Sequence, residues 1–271
     1  MNNIITGNAT EILEKYQNNT FDLVVTSPPY DDLRTYKGAV KDLNKKLDGF
    51  SFPFCAIAKE LYRVIKVGGV VVWVVGDSVN KGTETGNSFR QALYFMECGF
   101  KLHDTMMYEK NGSAFPARRD GNRYTQIFEY MFVFSKDTKP RVSNLICDKP
   151  NRWAGWTHFG SGSVRAKNGE LIKRTIKPIP EFSPRNNIWK YNTGRNYSTK
   201  DKEAFEHPAI FPEKLAADHI LTWSNEGDVI LDPFCGSGTT CKMAKINNRK
   251  YVGIDINEEY CSLAKKRIDK F

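Results

Sequence analysis

The sequence predicts an α/β fold on a mainly parallel, twisted sheet, with an antiparallel hairpin at one sheet edge and an inserted lobe. Three observations predict it. Runs nearly continuous in Val and Ile alternate with amphipathic helical patterns, as expected of parallel strands buried on both faces. After Gly99 two strand-like runs follow one another without a helical pattern between them, so they read as a hairpin. From residue 139 to 206 periodicity fades and basic residues accumulate, over a stretch too long for an ordinary loop.

The strand candidates, in order, are "NIIT" from Asn3, "FDLVVT" from Phe21, "GGVVVWVVG" from Gly68, "KLHDTMMYEK" from Lys101 and "TQIFEYMFVFSK" from Thr125. "DVILDPF" from Asp228 and "KYVGIDI" from Lys250 complete the set. Helical patterns fall in "ATEILEKYQ", "FPFCAIAKELYRVIK", "SFRQALYFMECG", "TTCKMAKINN" and "NEEYCSLAKKRIDKF". Trp73, inside the Val-rich run, reads as core. A chain of 271 residues accommodates one large core and a smaller lobe. The expected division is 1–138, a basic lobe at 139–206, and 207–271.

The formal charge is +9, and its distribution matters more than its size. Residues 139–206 hold 14 Lys and Arg against 6 Asp and Glu, and three of the five tryptophans, Trp153, Trp156 and Trp189. Concentrated positive charge with aromatics is the footprint of a polyphosphate-binding surface. The longest apolar run, "VVVWVV", is too short to span a bilayer, and the N-terminal residues show no basic-then-apolar targeting pattern. Six cysteines without a CxxC pair suggest neither a zinc site nor a disulfide framework, and point to reduced thiols in a cytoplasm. His103, His158 and His219 are single, so no metal is expected.

Two motifs carry chemistry. In "VVTSPPYDDLRTYKG", starting at Val24, an apolar strand runs into Pro28 and Pro29, which no central strand can pass through. In "DVILDPFCGSGTT" a strand enters Asp232-Pro233, turns through Gly236-Ser237-Gly238 and opens a helix at Thr239. Glycines let the backbone approach a ligand, and a helix start offers amide donors. The next strand ends in Asp255, placed to accept from both ribose hydroxyls. Together these describe a site for a nucleoside cofactor. The third glycine of a dinucleotide fingerprint is missing, which disfavours NAD.

"DPFCGSGTT" resembles the S-adenosyl-L-methionine (SAM) motif of DNA amino-methyltransferases, and "TSPPY" resembles their catalytic motif. "HPAIFP", residues 207–212, is similar to the segment closing over the methionine part of SAM. The order, catalytic motif before SAM motif with the basic lobe between, resembles the permuted β group of these enzymes. The resemblance covers roughly residues 1–135 and 207–271. It implies the Rossmann-like SAM-dependent methyltransferase fold with a target-recognition lobe. It also implies SAM contacts by His207, Phe211, Asp232, Phe234, Gly236, Ser237, Gly238, Thr239 and Asp255. Asn8 stands where the family commonly has an acid near the adenine.

The chemistry implied is methyl transfer to an exocyclic base amine, whose lone pair is delocalised into the ring. Ser27 and the Pro28 carbonyl, stiffened by Pro29, would accept from the amine, and Tyr30 would stack on a base taken out of the duplex. Ser at the first motif position resembles N4-cytosine enzymes; N6-adenine methylation on the same scaffold is the alternative. An RNA or protein-glutamine methyltransferase, or a non-catalytic DNA-binding protein, are further readings. Double-stranded DNA is the expected partner, contacted by Lys110, Arg118, Arg119, Arg123, Arg165, Arg174, Arg185 and Arg195. A restriction-modification or solitary-methylation role in a bacterial or phage-infected cell follows, as monomer or homodimer; in the restriction-modification case a cognate endonuclease forms no stable complex with it. C5-cytosine methylation is disfavoured: no Pro-Cys dipeptide occurs, and Cys235 reads as a packing residue.

Overall fold

A computed structural model describes residues 1–29, 50–112, 123–157, 163–173, 177–194, 197–207, 210 and 212–271. The chain divides into two compact units, Met1–Asn144 with Asn187–Phe271, and Leu145–Asn186.

The first unit starts with β1 (Asn3–Thr6), α1 (Ala9–Leu13) and β2 (Phe21–Thr26). After α2 (Phe54–Val64) and β3 (Ile65–Val75) come the short antiparallel pair β4 (Val79–Asn80) and β5 (Thr83–Glu84), then α3 (Asn87–Glu97). The hairpin β6 (Phe100–Lys110) and β7 (Phe128–Lys136) follows. Within the second unit, β8 (Lys149–Pro150) pairs antiparallel with β11 (Phe182–Ser183), and β9 (Ser163–Arg165) with β10 (Leu171–Lys173). The first unit resumes with β12 (Ile188–Tyr191), α4 (Glu213–Trp223), β13 (Val229–Asp232), α5 (Thr239–Ile246), β14 (Lys250–Asp255) and α6 (Glu258–Ile268).

The main sheet has the order β1-β14-β13-β2-β3-β7-β6-β12. All neighbours pair in parallel except β7, which is antiparallel to both β3 and β6. The central strands explain this. β2 is buried at every residue and β3 at all but two, so helices must cover both faces. One side is a dense aromatic layer. Trp73, fully buried, packs against Phe54 and Phe95 at ring separations of 5.8 and 5.0 Å. Its indole N–H donates to Gln91 Oε1 at 2.7 Å, which satisfies the one polar atom it carries inside.

Two features depart from the sequence reading. The hairpin does not end the sheet, because β12 adds in parallel to β6. "IWKY" alternates exposed and buried, and Trp189 and Tyr191 pack inward on α4: Trp189 stacks on His219 at 4.6 Å, and the Tyr191 hydroxyl donates to Asp218 at 2.7 Å. Four strand residues within an irregular basic stretch carry too little pattern to stand out. The helix α4 is the second departure. Its buried face mixes Leu215, Ala216, Ile220 and Trp223 with Asp218, His219 and Thr222, which blurs the apolar period.

Burial holds the His219 imidazole neutral, pushing its pKa down from 6.5 to about 3. The unfolded chain takes up a proton in that window that the folded chain refuses, so stability falls as pH drops through it. His219→Phe keeps a ring on Trp189 but no titrating nitrogen. It is expected to shrink the difference in unfolding free energy between about pH 7 and about pH 5 by about 2 kcal/mol, read from urea curves. An unchanged difference would contradict this account.

Candidate active site

The strand order reverses at β13, which lies between β14 and β2. In an open α/β sheet this switch, at the carboxyl ends of the strands, is where a ligand crevice opens. Both motifs leave the sheet there, from adjacent strands. They are also joined directly: the Thr26 hydroxyl donates to Asp232 Oδ1 at 2.7 Å, and the Thr240 hydroxyl donates to the Val25 carbonyl at 3.1 Å. Ser27 therefore begins one residue beyond a side-chain tie to the first residue of the glycine turn. Pro28 is buried, and Ser27 and Pro29 are half-buried; Tyr30 lies outside the described residues.

Asp232 is 1% exposed, and burial raises its pKa to about 6, opposed by the Thr26 hydroxyl and the Phe234 amide that it accepts. It acts on the shape of the turn from beneath. Gly236 and Gly238 have φ of +47° and +78°, in the left-handed region that an L side chain enters only with strain. A Cβ on Gly238 would lie 2.7 Å from the Cβ of Ala264, and one on Gly236 would lie 2.7 Å from the His207 ring. The turn is thus held close to α6 on one side and to the 207 segment on the other. His207 in turn meets Tyr260 ring to ring at 4.4 Å.

Asp255 closes the opposite wall. Its Oδ2 accepts from the Gly236 amide and its Oδ1 from the Asn257 amide, both at 2.9 Å. Each oxygen keeps lone-pair capacity for a hydroxyl donor, as a ribose diol requires. Burial raises its pKa. Phe234 packs into the aromatic layer, 5.5 Å from Phe52 and 6.1 Å from Trp73. Asn8 caps α1, accepting from the Thr10 amide at 2.9 Å. Cys235 is buried, with its thiol pushed up by its contact with Cys261 and by burial, which suits a packing residue and not a nucleophile. Asp77 accepts from Thr85 and from the Ser88 amide, both at 3.1 Å, so it anchors the start of α3.

Sequence reading missed the support under the turn. Arg267 in α6 and Lys242 in α5 are 0% and 4% exposed. Both bind Asp201 and Glu213: Lys242 at 2.8 and 2.7 Å, Arg267 at 3.1 and 2.9 Å. Arg267 Nη1 also donates to the Ser237 carbonyl and, at 3.0 Å, to the Ser237 hydroxyl; Thr239 Oγ1 lies at 3.5 Å. A basic residue in the last turn of an amphipathic helix ordinarily reads as solvated, and its two carboxylate partners lie 54 and 66 positions away. Arg267→Lys cannot make all these bonds from one ammonium. We expect a loss of about 1–3 kcal/mol in stability and weaker nucleoside-cofactor affinity in calorimetry, with turnover at saturation little changed. Wild-type affinity in that variant would contradict the role.

The basic residues expected on DNA have varied surroundings. Lys110 pairs with Glu129, Arg123 donates to the Gly82 carbonyl and lies 3.5 Å from Glu84, and Arg165 donates to the Gly169 carbonyl at 3.1 Å. Arg185 grips Asp148 through Nε at 2.9 and 3.1 Å. Arg118, Arg119, Arg174, Arg195, His158 and Phe211 lie outside the described residues. No cluster able to hold a metal occurs among the described residues, and no described helix is long and apolar enough to cross a membrane.

A mainly parallel sheet with one reversed strand, a glycine turn and an acid at adjoining strand ends defines a nucleoside-cofactor-binding α/β protein. Comparison with known proteins makes the class specific. Residues 21–266 match the N6/N4 methyltransferase family of DNA methylases. The orphan methyltransferase M.BamHII of Bacillus amyloliquefaciens is 56% identical over 253 residues, covering 93% of this chain and 90% of that protein. The DNA adenine methyltransferase YhdJ of Escherichia coli K12 is 27% identical, over 98% of this chain and 82% of its own. In fold, the chain is similar to TTHA0409 of Thermus thermophilus complexed with S-adenosyl-L-methionine, at TM-score 0.66 and 24% identity, covering 100% of this chain and 94% of that one. It is similar also to the cytosine-N4-specific PvuII DNA methyltransferase, at TM-score 0.68 and 21% identity, covering 97% and 85%. The chain belongs to the N6/N4 DNA methylase family, and is accordingly a SAM-dependent DNA methyltransferase.

Proposed function

We propose that the protein methylates the N4 amine of cytosine in a specific duplex site, acting on an extruded base. The observation that carries this reading is the Thr26–Asp232 tie at 2.7 Å, which sets the Ser-Pro-Pro corner beside the glycine turn. When bound, S-adenosyl-L-methionine supplies an electrophilic methyl group on sulfonium. Asp255 accepts from the ribose hydroxyls, and Gly236 and Gly238 let the backbone of the turn approach the cofactor. Asp232, Ser237 and Thr239 act through the shape of that turn, and His207 and Phe211 border the methionine end.

Ser27 Oγ accepts from one N–H of the target amine and the Pro28 carbonyl from the other. This orients the nitrogen lone pair towards the methyl and favours the positive charge that develops there. Pro29 limits the movement of both acceptors, and Tyr30 stacks on the base. The proton leaves along the Ser27 hydrogen bond to solvent. Ser27 as the first motif residue supports cytosine over adenine, because the neutral hydroxyl stands where N6-adenine enzymes resemble one another in carrying Asp or Asn. The name of the 56% identical relative, an orphan methyltransferase of Bacillus amyloliquefaciens, supports a solitary role in a bacterium.

The test is transfer from methyl-labelled SAM to duplex DNA, followed by digestion and separation of nucleosides. Label in N4-methylcytosine is expected. Label in N6-methyladenine would overturn the choice of base, and label in RNA or protein but not DNA would overturn the choice of substrate.

A further inference from the structure

The second compact unit, Leu145–Asn186, is held together without a core: none of its described side chains is buried. Its backbone is nonetheless stitched. Around the turn at Gly155, the Trp156 amide donates to the Trp153 carbonyl at 3.0 Å and the Gly155 amide to the Ile179 carbonyl at 2.9 Å. The Ile179 amide returns a bond to Trp156 at 3.1 Å, and Asn151 donates through its backbone and side-chain amides to Glu181 and Pro180 at 2.9 and 2.8 Å. This fixed turn presents two indoles at once. Trp153 and Trp156 are 48% and 45% exposed, edge to face at 4.9 Å, with the Arg152 guanidinium 5.2 Å above the Trp153 ring.

Half-exposed indoles on a rigid turn are expensive to hydrate and cost little further entropy to dock, which is the profile of a binding surface. The charge around them selects the occupant. Residues 145–186 carry 8 Lys and Arg against 3 Asp and Glu, and one of those acids, Asp148, is held by Arg185. A partner that is acidic and offers flat π faces is nucleic acid. We infer that the Trp153–Trp156 turn is a nucleobase-contacting surface of this unit, with Arg152 supplying an adjacent phosphate contact. This inference rests on the duplex-DNA reading above.

The test uses the full chain and a fluorescein-labelled duplex containing the site that the wild type methylates, mapped by sequencing the genome of an expressing host. The double variant Trp153→Ala, Trp156→Ala is expected to bind that duplex about 10- to 100-fold more weakly, as loss of aromatic–base contact does. The slope of log affinity against log salt should stay unchanged, because no phosphate contact is lost. Arg152→Ala should instead lower that slope by about 1. Paired Phe substitutions should restore most of the affinity, and calorimetry should find SAM binding unaltered, which rules out a general loss of fold. Wild-type affinity in the double Ala variant, or a changed salt slope with it, would overturn the inference while leaving the methyltransferase reading intact. A wild-type chain that ignores duplex DNA would overturn both, and tight binding of the indole pair to an acidic protein but not to DNA would assign the surface to a protein partner instead.

Discussion

Asp255→Ala is expected to raise the dissociation constant of SAM by about 10²- to 10⁴-fold while leaving the transfer rate at saturation within severalfold of wild type. The proposed function gives the carboxylate two jobs. It accepts the Gly236 and Asn257 amides at 2.9 Å, and its remaining lone pairs would serve the ribose diol. Two hydrogen bonds to a charged acceptor are each worth about 1.5–3 kcal/mol, which gives that range. Both are lost in the Ala variant, far from the reacting nitrogen. Asp255→Asn retains one acceptor oxygen and should lie between. A pH dependence follows with a fixed sign. Burial raises the Asp255 pKa above its ordinary 3.8, so SAM affinity should weaken as pH falls through that raised value, and the Ala variant should lack this component. Isothermal calorimetry checks each statement. An Ala variant that binds SAM normally but turns over slowly would reverse the assigned role.

Ser27→Ala is expected to do the opposite, lowering the single-turnover transfer rate by about 10²–10³ with SAM affinity within about twofold of wild type. That is the effect of deleting one positioned polar partner of a transition state, about 2.7–4 kcal/mol. The corner itself should survive the change. Thr26 remains bonded to Asp232 at 2.7 Å, Thr240 to the Val25 carbonyl at 3.1 Å, and the two prolines keep their fixed φ. Rapid-quench measurement at saturating DNA and cofactor separates this from a binding defect. A Ser27→Ala enzyme that transfers at the wild-type rate would remove the hydroxyl from the mechanism.

What was legible in the sequence is what is local. The Ser-Pro-Pro corner, the glycine turn and Asp255 each sit within a few residues of the strand that positions them, so strand pattern and motif together located them. Long-range partners were not legible. Asp232 reads as part of the cofactor turn, and nothing local reveals that Thr26, 206 positions earlier, is bonded to it. Arg267 and Lys242 look like solvated helix residues until Asp201 and Glu213 are found facing them. Arg185 is expected on DNA, and nothing local reveals that it also holds Asp148 across 37 positions. The strand β12 escaped for the same reason. Its pairing partner, β6, is about 80 residues earlier in the chain, and alternation over Ile188–Tyr191 is too short to detect against a basic, aperiodic background.

The proposed reaction depends on physical adjacency: an amine held at Ser27 would meet a methyl group held over the glycine turn. A crystal structure of the protein with SAM and a duplex containing its target site measures this directly. The expected complex has the ribose on Asp255, the methionine end directed towards Ser27, and the target nitrogen within about 3–3.5 Å of the methyl carbon. A cofactor seated away from Gly236–Gly238, or a target base held against some surface other than the Ser27–Pro29 corner, would contradict it.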